Sequence, residues 1–238
     1  MRGRTIEVNI YSNVTHVASL IGDQTRTAIL MALFDGKSLP AGELARLAKV
    51  SPQTASSHLS KLVEGGLIKV ESWSRHRYYS LASADIANAI EALAIITLPA
   101  PVHSLRQSNQ AKALQFARTC YDHIAGEFGV EFSRVLVQKG FFEEADDGYI
   151  LNPTGETWLR EFGINEAIIR KASFLIPWHV DWTERVHHIA GPIALAITKR
   201  LFEFGWITQG HIRRSIIVTE QGKREFQNQF DIVFARIE

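Results

Sequence analysis

The stretch from Leu39 to Leu81, LPAGELARLAKVSPQTASSHLSKLVEGGLIKVESWSRHRYYSL, leaves few folds open. After Pro40, residues Leu44, Ala45, Leu47 and Ala48 make one apolar stripe, and a short turn through Lys49 and Val50 follows. Ser51 is placed to cap a second helix, its hydroxyl accepting from the free N–H groups of the first turn. Pro52 takes the first helical position, where a missing N–H costs nothing. That helix buries Ala55, Leu59 and Leu62, at steps of four and three, and Gly65-Gly66 ends it. Leu67, Ile68 and Val70 then begin a strand, and Tyr78, Tyr79 and Leu81 lie on its partner. The hairpin tip, Trp73-Ser74-Arg75-His76-Arg77, is basic. Helix, turn, helix and basic β-wing are the winged variant of the helix-turn-helix.

The second helix leaves Gln53, Thr54, Ser56, Ser57, Ser60 and Lys61 uncovered. A solvated helix face ordinarily carries Glu, Lys and Arg, which favour helix. Short hydroxyl and amide groups instead let a helix approach base edges and phosphates. Gln53, Thr54 and Ser57 are expected to reach bases, with Gln53 favouring adenine. Ser51, Ser56, His58 and Lys61 are expected at phosphate or at the helix frame, and Arg75, His76 and Arg77 on the backbone or in the adjacent minor groove. The whole chain has a net charge of only +1, which excludes a polybasic coat but not a local reader. Between Ala41 and Leu81 six basic residues stand against three acidic ones.

The segment from Gly22 to Leu81 resembles the ArsR family of bacterial winged-helix repressors. The matching pieces are LIGDQTRTAILMAL, GELARLAKVSPQTASSHLSKLVEGGLIKV and the wing ending RYYSL. The resemblance implies a homodimer that binds a double-stranded operator and is released by a signal. Metal-sensing members of that family often carry a Cys-x-Cys pair on the helix before the reader. Here that helix reads Glu43-Leu44-Ala45-Arg46-Leu47-Ala48, without a thiol.

Around this stretch, Thr5 to Ile10 alternates as a short strand would, and Val14 to Ile21 has the spacing of a short helix. Asp23 caps the next helix, whose apolar set is Ile29, Leu30, Leu33 and Phe34. Arg26, in its first turn, is open to a phosphate contact or to a plain surface role. Gly36 closes that helix. Beyond the wing, Ser83 caps a helix from Ala84 to about Leu98 with a broad apolar stripe, suited to a two-fold interface. The winged helix-turn-helix and dimerisation domain is therefore set at 1–98, and Pro99-Ala100-Pro101 marks a linker over 99–104.

The remaining 105–238 holds an internal repeat, about 110–164 and 175–232. His123-Ile124-Ala125-Gly126 recurs as His188-Ile189-Ala190-Gly191, 65 positions on, and Gly140 recurs as Gly205 at the same offset. Asn152-Pro153-Thr154-Gly155 matches Thr219-Glu220-Gln221-Gly222 more loosely. Each copy reads as helix, Gly stop, hairpin and capped helix, the order of the winged domain itself. The expected fold class is mainly α with small β-hairpins: a winged helix-turn-helix followed by an α+β domain of repeated winged-helix-like units. One of their hairpin tips, Asp146-Asp147-Gly148, is acidic and the other holds His211, Arg213 and Arg214, so this domain is expected to sense or assemble.

Two turns of that domain concentrate chemistry: Arg118-Thr119-Cys120-Tyr121-Asp122-His123, and Trp178 to Arg185 followed by His187-His188. Packing the repeats about a pseudo-two-fold axis gathers Cys120, Asp122, His123, His179, Asp181 and His188, walled by Tyr121, Trp178 and Trp182. Three roles are open to the group. It is structural, or it is a small-molecule pocket with aromatic walls, or it is a metal or redox site. In the last case Cys120 and His123, at i and i+3, would share a helical face.

The lone cysteine, Cys120, allows no intrachain disulfide. Met1 to Ser12 lacks a signal-peptide core. The most apolar run, Ala89 to Val102, contains Glu91 and two prolines and is too short to span a bilayer. A soluble, cytoplasmic protein without a membrane partner is expected. Nucleotide-binding, Walker and Gly-x-Ser-x-Gly motifs are missing, so no enzyme is expected and no cofactor is assigned, a metal ion at the Cys–His group being left open. The sequence is read as a DNA-binding transcriptional regulator, a dimeric repressor released by an unidentified small-molecule or metal effector in its C-terminal domain. Two alternatives stand beside it: a metal- or thiol-responsive regulator using Cys120, His123 and His179, and a winged-helix module that binds protein.

Overall fold

The computed structural model describes residues 5–97, 104–121, 123–172 and 175–234. The chain divides into two compact units, Met1–Ile90 and Glu91–Glu238.

The first unit opens with α1 (Thr5–Ile21) and α2 (Gln24–Ala32), followed by β1 (Leu39–Pro40), α3 (Ala41–Leu47), α4 (Pro52–Glu64), β2 (Ile68–Trp73) and β3 (His76–Leu81). A further helix, α5 (Ala84–Ile95), crosses the boundary between the units. The alternation of Ile6, Val8 and Ile10 does not make a strand: residues 5–10 are the first turns of α1. A lone alternating run has no ladder to join, whereas extending the helix that follows gives its next turns carbonyl partners. Asp23 does cap α2, its Oδ1 accepting from the Arg26 N–H at 2.9 Å. Arg26 is neither free nor on the outer surface. Its Nε donates to the Leu20 carbonyl at 2.7 Å and its Nη2 to that of Ser19 at 2.6 Å, tying the end of α1 to the start of α2.

Lys49 sits in the left-handed region at φ 56°, and the Val50 N–H reaches the Ala45 carbonyl at 3.0 Å, so α3 ends in a Schellman turn with lysine where glycine is usual. Ser51 Oγ accepts from the Thr54 N–H at 3.1 Å to start α4. Gly66, at φ 71°, closes α4 by the same turn, with Leu67 N–H on the Leu62 carbonyl at 2.9 Å. Ala55, Leu59 and Leu62 are buried, and each leucine contributes about 1.5–3 kcal/mol of transfer free energy to holding α4 on the core. The sheet runs β1-β3-β2, all antiparallel, with Ile68 opposite Leu81 and Trp73 opposite His76 at the tip.

The second unit contains, after the end of α5, α6 (Leu105–Phe116), β4 (Arg118–Cys120), β5 (His123–Ala125), α7 (Glu127–Gln138), β6 (Phe142–Ala145), β7 (Gly148–Leu151), α8 (Pro153–Glu161), α9 (Glu166–Ala172), β8 (Trp178–Val180), β9 (His187–Ile189), α10 (Gly191–Glu203), β10 (Ile207–Gln209), β11 (Ile216–Val218) and α11 (Glu220–Phe230). Most of the expected linker lies outside the described residues, and Ser104 is already the N-cap of α6. The paired strands form separate two-stranded ribbons, β4-β5, β6-β7, β8-β9 and β10-β11. Each half runs hairpin, helix, hairpin, helix. Gly140 and Gly205 end α7 and α10 at φ 71° and 68°, as Gly66 ends α4. Gly155 and Gly222 mark the other repeated constraint. A Cβ on either would overlap a backbone carbonyl, that of Phe141 or of Trp206, so each closing helix presses directly on its hairpin. Phe128, Phe132, Trp206, Phe226 and Phe230 fill the core between the halves. Among the described residues no helix is long and apolar enough to cross a membrane.

Candidate nucleic-acid interface and a buried polar cluster

With Ala55, Leu59 and Leu62 turned inward, Gln53, Ser56, Ser57 and Ser60 fall on the opposite face of α4, flanked by Thr54 and Lys61, and all six are exposed. Ser51 is exposed too, but its hydroxyl is engaged with the Thr54 N–H and lies 2.9 Å from the Thr54 hydroxyl. His58 departs from expectation. It lies on the flank of the buried face, half-buried, with Nδ1 3.5 Å from Asp23 Oδ1, so it braces α4 against the start of α2 and does not join the open face. The Asp23 carboxyl is held below its usual range, first by the Arg26 N–H and also by the nearby Arg26 and His58 charges. On the wing, Arg75, His76 and Arg77 are exposed, and Trp73 beside them is 71% exposed.

In the second unit, Cys120 and His123 do not share a helix. They face each other across the β4–β5 hairpin, and His179 faces His188 across β8–β9. The i, i+3 spacing belongs to a two-residue turn, in which Tyr121 adopts φ 57°. The equivalent repeat histidines meet, His123 Nε2 standing 3.1 Å from His188 Nε2. Cys120 Sγ lies 4.0 Å from His179 Nδ1 and donates to Glu91 Oε2 at 2.7 Å. Burial pushes the Cys120 thiol well above its ordinary pKa, and the Glu91 carboxylate adds to the effect. Burial pushes His188 well below the ordinary imidazole value, helped by His123. The resting group therefore holds a thiol and a neutral His188 imidazole.

The other residues gathered by the sequence are engaged elsewhere. Asp181 pairs with Arg118 at 2.7 Å and accepts from the N–H groups of Gly126, Thr183 and Glu184. Burial alone would raise its pKa, but Arg118, the Thr183 hydroxyl and those N–H groups outweigh it and hold the carboxyl well below the usual range. Trp182 lies under the Arg118 guanidinium at 4.7 Å, and Trp178 stacks on His187 at 3.6 Å. A neighbouring cavity, lined by Ile124, Phe132, Ser133 and Ile189 among others, measures about 10 Å³, room for one water. Asp122 lies outside the described residues. Arg214, expected on an exposed basic tip, is buried: its Nε donates to the Thr119 carbonyl at 3.0 Å and its Nη2 stands 3.5 Å from Glu91.

A helix-turn-helix domain family matches residues 21–71. The HTH-type transcriptional regulator YdfF of Bacillus subtilis, itself uncharacterized, is 43% identical over 221 residues, covering 92% of this chain and 98% of that protein. This chain belongs to the HTH-type transcriptional regulators. The regulator is also 33% identical over 87 residues to the HTH-type transcriptional regulator CmtR of Mycobacterium bovis, 37% of this chain and 73% of that one. A solved homodimeric winged helix-turn-helix DNA-binding domain from Mycobacterium bovis, described as a possible ArsR-family regulator, is 23% identical, with a TM-score of 0.37 over 40% of this chain and 89% of that chain. The resemblance of Gly22–Leu81 to the ArsR family agrees with the helix-turn-helix match.

Sequence reasoning missed Glu91 as a partner of Cys120 and Arg118 as the partner of Asp181. The signal for Glu91 was a lone carboxylate in the most apolar run of the chain, which calls for a buried partner without naming it. Trp73, named only as part of the tip, is more exposed than the other apolar side chain described as exposed on the wing, Val70.

Proposed function

We propose that this regulator is a homodimeric repressor that reads its operator through α4 and the β2–β3 wing and is released by an effector held in the second unit. The observation that carries this reading is the exposed face of Gln53, Ser56, Ser57 and Ser60, beside a wing tip whose Arg75, His76 and Arg77 are also exposed. Gln53, Thr54 and Ser57 read base edges; Ser51, Ser56 and Lys61 touch phosphate; the wing tip lies on the backbone or in the minor groove. Exposed apolar residues support dimerisation: Val14 (62%) on α1, Leu93 (45%) on α5 and Ile96 (78%) just beyond it. A two-fold dimer sets its reader helices about 34 Å apart, one turn of DNA.

A gel shift of the purified protein on its own upstream DNA, at two salt concentrations, tests this. Binding to that fragment that outlasts binding to unrelated DNA as salt rises supports the reading. Equal binding to both fragments removes sequence reading. No binding at low salt leaves the winged unit as a protein-interaction module.

A further inference from the structure

We propose that Cys120, His123, His179 and His188 bind one divalent transition-metal ion of the zinc class between the β4–β5 and β8–β9 hairpins. Each hairpin supplies a directly opposed pair, Cys120 with His123 and His179 with His188. Opposed residues project from the same side of a ribbon. Two ribbons therefore bring four donors to one point, which neither could do alone. The four ligand atoms lie within 4.8 Å of one another. A tetrahedral ion with ligands at about 2.0–2.3 Å needs donor–donor edges of roughly 3.3–3.8 Å. The 3.1 Å between the His123 and His188 nitrogens falls just below that range and the 4.0 Å between Cys120 Sγ and His179 Nδ1 just above it. Closure means drawing donors now spread over as much as 4.8 Å into that range.

The donor chemistry selects the ion. One thiolate and three neutral imidazoles suit zinc and its neighbours and do not suit magnesium or calcium, which take oxygen. The surrounding charges are already paired, Arg118 with Asp181 and Arg214 with Glu91, so the donor set brings a single negative charge of its own. On binding, the Cys120 S–H bond breaks and an S–metal bond forms. The proton passes toward Glu91, whose Oε2 is 2.7 Å from the sulfur, and on to solvent. Four protein donors leave no open position for water, which marks a closed site and not a hydrolytic one.

The site stands on the second unit alone and does not depend on the DNA-binding reading. The test uses the full-length protein, stripped with chelator under reducing conditions and titrated with cobalt(II), then with zinc. One cobalt per chain is expected, with the intense visible bands of tetrahedral coordination and a thiolate-to-cobalt charge-transfer band, both abolished by zinc. Cys120→Ser should remove the charge-transfer band. His179→Gln, at a half-buried position, should weaken binding more than the about 10–100-fold that outer-shell partners command. Circular dichroism checks that both variants are folded. If either unfolds, the wild-type stoichiometry and spectrum decide. A folded wild-type chain that takes up no cobalt, or shows an octahedral spectrum without the charge-transfer band, overturns the proposal. So does binding that is unchanged in both variants.

Discussion

Gln53 carries the sharpest claim on the operator. It is exposed in the first turn of α4, the end of a reader helix that meets base edges, and its amide can pair bidentately with N6 and N7 on the major-groove edge of adenine. Gln53→Ala is expected to cost about 1–3 kcal/mol at one base position and to relax preference there, read by binding to a panel of single-base operator variants. A uniform loss across the panel would refute base reading by Gln53. Asp181 is the corresponding residue for stability. Its folded pKa is depressed by Arg118, so its contribution is fully present above the unfolded carboxylate value of about 3.9 and is lost as pH falls through the folded pKa. Asp181→Asn strands a buried guanidinium. It should destabilise the chain by about 3–5 kcal/mol at neutral pH and flatten the acid limb of a urea-midpoint profile. What the sequence discloses at this scale is local. Ser51 and Pro52 announce a helix start because a cap is satisfied within three residues. Arg118 and Arg214 announce nothing, because their partners lie 63 and 123 positions away, and Glu91 announces the need for a buried partner without pointing to Cys120, 29 positions on.

Among the elements, the wing and the α4 cap make separable claims. Arg75→Ala should weaken every DNA site alike and lower the slope of log affinity against log salt by about one, since one phosphate contact is lost. An unchanged slope removes Arg75 from the backbone. Ser51→Ala should lower folding stability by about 1 kcal/mol through the lost N-cap, measured by denaturant unfolding, whatever it does to DNA. Periodicity placed α2, α3, α4 and the β2–β3 hairpin because each buries one face against near neighbours. It failed where the pattern was too short to be unique. Ile6, Val8 and Ile10 fit a strand of three alternations and equally the opening of α1. Cys120 and His123 fit a helical i, i+3 pair and equally the two ends of a tight turn. Leu39–Pro40 is too short for any pattern, and only its pairing with Tyr78 and Tyr79 makes it a strand.

For the whole molecule, the internal repeat was visible because its glycines answer backbone and steric demands that glycine meets best. Gly140 and Gly205 take left-handed turns, and Gly155 and Gly222 admit a backbone carbonyl. The relation of the second unit to DNA binding is a matter of linkage. Glu91, the first residue of the second unit, accepts from Cys120 and belongs to α5, which begins at Ala84 in the first unit. Drawing the thiolate onto an ion breaks the Sγ–H to Glu91 hydrogen bond, so metal binding alters the forces on a helix that both units share. If that alteration changes operator affinity by some factor, thermodynamics requires the operator to change metal affinity by the same factor. The expected size is that of ordinary allosteric coupling, about 1–3 kcal/mol or 5–150-fold. Operator affinity measured on stripped and zinc-loaded protein, against zinc affinity measured with and without operator, closes the cycle. Equal factors different from one make the cluster the sensor, and factors below one make the ion a releasing signal. A factor of one in both arms makes the ion a staple between two hairpins, and the releasing signal must then act elsewhere in the chain.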